Sequence, residues 1–133
     1  MEITFTPIGH VENEFDHLTS TDELRRSESR IVVNEDLAEG LEGIKKFEKL
    51  LIVFHFHLAP KGYELRLYPQ GDTSRPKRGV FALCSPRRPN PIGVTIVDLV
   101  RMEGNVLVVR GLDALNGSPV LDIKPFITET RFF

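Results

Sequence analysis

Residues 85–93 read SPRRPNPIG and hold three of the chain's nine prolines, together with two arginines, an asparagine and a glycine. Each proline fixes its own φ and pushes the residue before it towards extended backbone. Pro89 acts in this way on Arg88, and Pro91 on Asn90. The directions of both side chains are therefore largely set before any ligand arrives, which lowers the ordering cost of binding. Gly93 permits a close approach of the backbone. The same residues would also build a stiff barrel corner.

Cations gather around this loop. Arg75, Lys77, Arg78, Arg87 and Arg88 fall within fourteen residues, with nothing acidic between the first and the last. A basic surface on a chain of net charge −2 fits a phosphate or carboxylate partner. Charge runs are more often a solvated face, and the two clusters bracket residues 79–84, so they need not share one patch. His55 and His57 form an H-x-H pair read onto one face of a strand. Zinc would need a third and usually a fourth ligand, and the spacing of Cys84, His10 and His17 singles none of them out. A strand histidine hydrogen-bonded beside a pocket is the expectation, with no metal. Residues 112–125 read LDALNGSPVLDIKP. Asn116-Gly117 is a turn dipeptide flanked by Asp113 and Asp122. Asp113 and Asn116 either cap that turn or present a carboxylate and an amide at a rim.

The elements that must position these residues are mostly strands. Residues 3–5, 8–11, 31–33, 50–56, 63–67, 80–83, 94–100, 106–109 and 120–123 carry alternating or β-branched patterns. Glu103-Gly104-Asn105 between two of them is hairpin chemistry. Residues 36–47 place Leu37, Leu41, Ile44 and Phe47 at helical spacing, weakened by Gly40 and Gly43. Residues 14–30 and 69–78 are polar and turn-rich, and are read as mobile loops suited to binding. Many short strands without alternating long helices predict a mainly β fold. It is a small single-domain β-barrel over residues 1–133, with one short helix and long polar loops. No GxGxxG is present, and this architecture leaves no room for a Rossmann-type fold.

Composition narrows the setting. A chain of 133 residues at 41% hydrophobic content can bury one core. No apolar run approaches the roughly 20 residues that span a bilayer, so no membrane partner is expected. The opening MEITFTPIGH is not a basic leader before an apolar block, so no signal peptide is expected. The single cysteine, Cys84, rules out a disulfide within the chain and favours the cytoplasm.

"GVFALCSPRRPNPIGVTIVDL" followed by "LDALNGSPVLDIKPF" resembles the TrmO-type tRNA methyltransferases, also called the TsaA-like or YaeB family. The family pattern resembles FATRSPxRPNPIG and then LDxxDGTPVLDIKPY. "IGHVENEF" and "GLEGIKKFEKLLIVFHFH" are similar to its opening strand and its middle segment, so the likeness covers nearly the whole chain. The resemblance implies a small β-barrel that binds S-adenosyl-L-methionine outside a Rossmann setting. It implies a homodimer with cofactor sites near the subunit interface, and N6-methylation of threonylcarbamoyladenosine beside the anticodon of tRNA. Carried over by position, it places His57, Leu58, Cys84, Ser85, Arg88, Asn90, Val94, Leu112 and Asp113 at the cofactor. It makes Asp113 and His57 the candidate general bases, and leaves Arg75, Lys77, Arg78 and Arg87 for the tRNA. Where the family pattern has Thr-Arg, this chain has Leu83-Cys84, and Asn116 and Ser118 stand in place of Asp and Thr. By the same resemblance, bacterial members are expected to carry a C-terminal extension beyond the position of Phe133. A barrel that binds the cofactor without transferring its methyl group is the second reading. A metal enzyme built on His55, His57 and Cys84 is the third.

Overall fold

The computed structural model describes residues 1–17 and 21–128. Six strands close into an antiparallel barrel in the order β1-β2-β7-β6-β3-β8. They are β1 (Gly9–Glu12), β2 (Glu28–Val33), β3 (Lys49–His55), β6 (Ile92–Glu103), β7 (Val106–Arg110) and β8 (Pro119–Pro125). Two further strands, β4 (Arg66–Leu67) and β5 (Arg78–Gly79), pair with each other outside the barrel. One α-helix, α1 (Thr21–Arg26), lies between β1 and β2.

Alternation decides which side chains fill the barrel. Along β3, Leu50, Ile52 and Phe54 are buried while Leu51, Val53 and His55 turn outwards. The inward set joins Val11, Ile31, Val33, Val97, Leu107, Val109, Leu112 and Val120 in one cluster. Each large member contributes about 1.5–3 kcal/mol by leaving water. Gly9 lets β1 approach β2: a Cβ there would collide with the Val32 carbonyl, which is backbone and cannot swing aside. On β8 the register slips between Val53 and Phe54 of its partner, so Leu121 is unpaired. This bulge bends the strand where it leaves the 113–118 loop.

Several expectations are corrected. Residues 3–5 are not a strand, and Ile3 and Phe5 are exposed. Residues 63–67 alternate, but only Arg66–Leu67 pairs, and Tyr63 and Leu65 remain in solvent because no sheet backs them. Residues 80–83 contain the 3₁₀ turn Val80–Ala82, held by a Leu83 N–H donated to the Val80 carbonyl at 3.2 Å. The helix expected over 36–47 is two 3₁₀ segments, Glu35–Leu41 and Ile44–Lys46, separated where Gly43 takes φ +87°. The α-helix stands instead inside the polar segment 14–30, of which residues 18–20 lie outside the described residues. Acidic Asp22 and Glu23 open α1, basic Arg25 and Arg26 close it, and Leu24 is buried. The 69–78 loop folds on itself. Ser74 donates its hydroxyl (2.6 Å) and its amide (3.0 Å) to Asp72, which holds that carboxyl below the usual range.

Candidate functional site

At one end of the barrel, three segments meet around a cleft of about 190 Å³. The end of β3 and the turn after it supply Phe54, Phe56, His57, Leu58, Ala59 and Pro60. The proline loop supplies Cys84 and Pro86, and the loop before β8 supplies Asp113, Ala114, Leu115 and Ser118.

Each segment is tied down by backbone bonds that its sequence permits. The Phe56 N–H donates to the Pro91 carbonyl at 2.8 Å, fastening the proline loop to the end of β3. Inside the loop, Arg88 donates its backbone N–H to the Pro86 carbonyl (3.0 Å) and Ile92 to the Asn90 carbonyl (2.7 Å), two tight turns in succession. The Arg88 guanidinium donates to the carbonyls of Leu83 (2.8 Å) and Ser85 (3.3 Å), which flank Cys84. It clasps the cleft wall from behind. Gly93 makes room for aromatic rings, since a Cβ there would strike the Phe54 ring and come within 2.8 Å of Phe56 Cζ. The two rings meet edge to face, with centroids 5.2 Å apart at 77°.

The 113–118 loop is clamped by two asparagines. The Asn13 N–H donates to Asn116 Oδ1 at 3.0 Å, and Asn13 Nδ2 donates to the Ala114 carbonyl at 2.9 Å. Asn116 and Gly117 donate backbone N–H groups to the Phe15 and Val11 carbonyls, each at 2.7 Å. Asn116 is therefore committed to the fold, while Asp113 lines the cleft. Ser118 is buried at 2% exposure; its Oγ donates to the Leu115 carbonyl at 2.6 Å and lies 3.4 Å from His57 Nδ1.

Of the sequence-derived cofactor positions, His57, Leu58, Cys84 and Asp113 border this cleft. Ser85 and Asn90 lie in the loop behind it: Ser85 Oγ accepts the Arg87 N–H at 3.1 Å, and Asn90 is exposed. Leu112 is a core side chain at 1% exposure, and Val94 is 57% exposed on the outer face of β6. Arg87 borders a neighbouring depression with Lys61, Gly62, Tyr63 and Glu64. Arg75, Lys77 and Arg78 lie on the β4–β5 side, where Lys77 Nζ sits 5.2 Å from the Tyr68 ring centre and Arg78 Nη1 donates to the Ala82 carbonyl at 3.5 Å. The H-x-H pair does not share a strand face, because β3 ends at His55 and His57 belongs to the following turn. Among the described residues, no group of three or more His, Cys, Asp or Glu side chains is close enough to hold a metal.

Pattern reading missed Phe56, Leu115 and Ser118. Phe56 ends an apolar strand run and reads as core. Ser118 carried a signal, being the hydroxyl residue directly after a turn glycine and before a proline. Replacing Arg88 by alanine leaves the Leu83 and Ser85 carbonyls without their donor. Bonds of this kind contribute about 1.5–3 kcal/mol when one partner is charged. Arg88→Ala is expected to lower both stability in urea and affinity for a cleft ligand. Unchanged values for both would remove the clasp from this description.

The donor set of the cleft suits a sulfonium cofactor. Its apolar walls suit an aromatic base, and Asp113, the acidic side chain among the lining residues, suits a cationic sulfur. The tRNA-methyltransferase O N-terminal domain family matches residues 12–131. An S-adenosyl-L-methionine-binding protein of Archaeoglobus fulgidus is 39% identical over 128 residues, covering 92% of this chain and 88% of that one. A tRNA (adenine(37)-N6)-methyltransferase of Rattus norvegicus is 38% identical over 91 residues, 68% of this chain and 21% of that one. The crystal structure of TrmO from Pseudomonas aeruginosa superposes with a TM-score of 0.71 at 28% identity, covering 99% of this chain and 62% of that chain. This chain thus spans less than two thirds of that solved relative.

Proposed function

Because this chain belongs to the tRNA-methyltransferase O family, we propose that it transfers a methyl group from S-adenosylmethionine to N6 of the adenine beside the anticodon of tRNA, taking threonylcarbamoyladenosine as that base. One observation carries the reading: a histidine and a carboxylate, His57 and Asp113, open onto one set of apolar walls. When bound, the cofactor supplies an electrophilic methyl group on a cationic sulfur. The Asp113 carboxylate would offset the positive charge of that ligand, and Phe56, Leu58 and Leu115, which line the same cleft, would pack against its flat and apolar parts. The N6 lone pair is delocalised into the ring, and carbamoylation makes the N6 proton more acidic. His57 would take that proton as general base, so that N6 could accept the methyl group the bound cofactor would supply. Much of the remaining rate comes from alignment within a cleft whose walls are already fixed. Arg75, Lys77, Arg78 and Arg87 serve the tRNA phosphates and the threonyl carboxylate. A tRNA substrate and a single exposed cysteine support a cytoplasmic setting in this reading, and no helix among the described residues is long and apolar enough to cross a membrane.

The working unit in this reading is a two-fold homodimer. Ile92, Val94 and Ile96 of β6 are 37%, 57% and 46% exposed, and pair with His55, Val53 and Leu51 of β3. The resulting outer face is apolar. It is edged by the Lys49–Asp98 pair at 2.6 Å and the Lys124–Asp122 pair at 2.8 Å. A face with both signs on its rim complements itself under two-fold rotation. Val94 belongs to it, so a position assigned to the cofactor by resemblance is also one that a second copy covers. Val94→Glu is expected to convert dimers to monomers in sedimentation at micromolar concentration. A wild-type protein that sediments only as a monomer contradicts this assembly.

The reading is tested by mass spectrometry of nucleosides from tRNA of a strain lacking the gene. The methylated form of the base beside the anticodon should vanish, and should return with a wild-type copy but not with a His57→Gln copy. An unchanged nucleoside profile contradicts it.

A further inference from the structure

We infer that the buried Ser118 hydroxyl is a positioning group that sets the tautomer of His57 and keeps its Nε2 lone pair free at the cleft. A serine hydroxyl has one proton. Here it is directed to the Leu115 carbonyl at 2.6 Å, a short and well-made bond. The longer contact of 3.4 Å between Ser118 Oγ and His57 Nδ1 must then run the other way, with the ring donating. Neutral imidazole carries one N–H, so a proton on Nδ1 leaves Nε2 bare. No described group hydrogen-bonds to Nε2.

Three features of the loop support this. Ser118 is only 2% exposed, so water does not compete freely for its proton. The Ser118 N–H also donates to the Leu115 carbonyl, at 3.1 Å, which keeps that acceptor in place. Gly117 sets no side chain against Nε2; a Cβ there would sit 3.6 Å from that nitrogen, in ordinary van der Waals contact. Its φ of +84° further disfavours any side chain. The catalytic consequence rests on the reading of His57 as proton acceptor given above; the tautomer itself does not. An imidazole with no fixed partner prefers its proton on Nε2 in water, so without Ser118 the productive form is the minor one.

The test is nitrogen NMR of the histidine-labelled, cofactor-free protein, at a pH high enough for a neutral ring. Wild-type His57 should show a protonated Nδ1 and a bare Nε2, and Ser118→Ala should shift the ring towards a protonated Nε2. Ser118→Thr, the residue type in the motif this segment resembles, should restore the wild-type pattern. In methyl transfer, Ser118→Ala should lose kcat several-fold with little change in KM for the cofactor, and Ser118→Thr should recover it. A wild-type ring protonated on Nε2 overturns the inference even if Ser118→Ala fails to fold, and so does a Ser118→Ala ring that keeps the Nδ1 proton. The expected tautomer in a protein that methylates nothing upholds the inference and overturns the methyltransferase reading instead.

Discussion

Protein carrying His57→Gln should bind S-adenosylmethionine nearly as wild type does and transfer its methyl group about 10²–10⁴-fold more slowly, the usual contribution of a positioned general base. Glutamine fills similar space and can still accept the N6–H hydrogen bond, but it cannot take the proton away. Binding by calorimetry and transfer under single turnover separate the two effects. A wild-type rate in this variant would remove His57 from the chemistry and leave Asp113 as the remaining base in the cleft.

Asp113→Asn should produce the opposite pattern. The substitution keeps shape and removes one negative charge from the cleft. A charge-assisted contact contributes about 1.5–3 kcal/mol, or about ten- to a hundredfold in affinity. Asp113 is exposed to solvent, so screening puts the effect towards the lower end. The loss should appear as a raised KM for the cofactor, with kcat at saturation close to wild type. A fall in kcat at unchanged affinity would exchange the roles of the two residues.

The contrast between these variants depends on an apposition that sequence patterns do not encode. The barrel itself was legible. Leu50, Ile52 and Phe54 alternate cleanly because β3 is buried on one face and is paired on both edges. Glu103-Gly104-Asn105 marked the β6–β7 hairpin because Gly104 takes φ +61° at the turn. Tyr63 and Leu65 misled for a physical reason: alternation reports a strand only where a core exists to receive one face. Leu24 was hidden for the reverse reason, as the few apolar side chains of a polar stretch carry no period, yet it is 3% exposed.

The cleft divides in the same way. Resemblance placed nine residues at a cofactor, and four of them, His57, Leu58, Cys84 and Asp113, line one cavity. The pair interaction between His57 and Ser118 spans 61 residues of chain. Only closure of the barrel brings them together, through the pairing of β3 with β8. Arg88 looked like a ligand contact because it is a cation in a rigid loop. Its Nη1 also bonds two carbonyls three and five residues away, and such local bonds leave no trace in composition. Asn116 likewise reads as a rim amide until Asn13, 103 residues earlier, is found donating to it.

The account is tested most directly by incubating the purified chain with isotopically labelled S-adenosylmethionine and tRNA from a strain lacking the gene. The tRNA is then digested and its nucleosides analysed. The account predicts label on N6 of the threonylcarbamoylated adenine beside the anticodon, lost with His57→Gln. Measurable cofactor binding with no label in any nucleoside, or label on another base at an undiminished rate in His57→Gln, would contradict it.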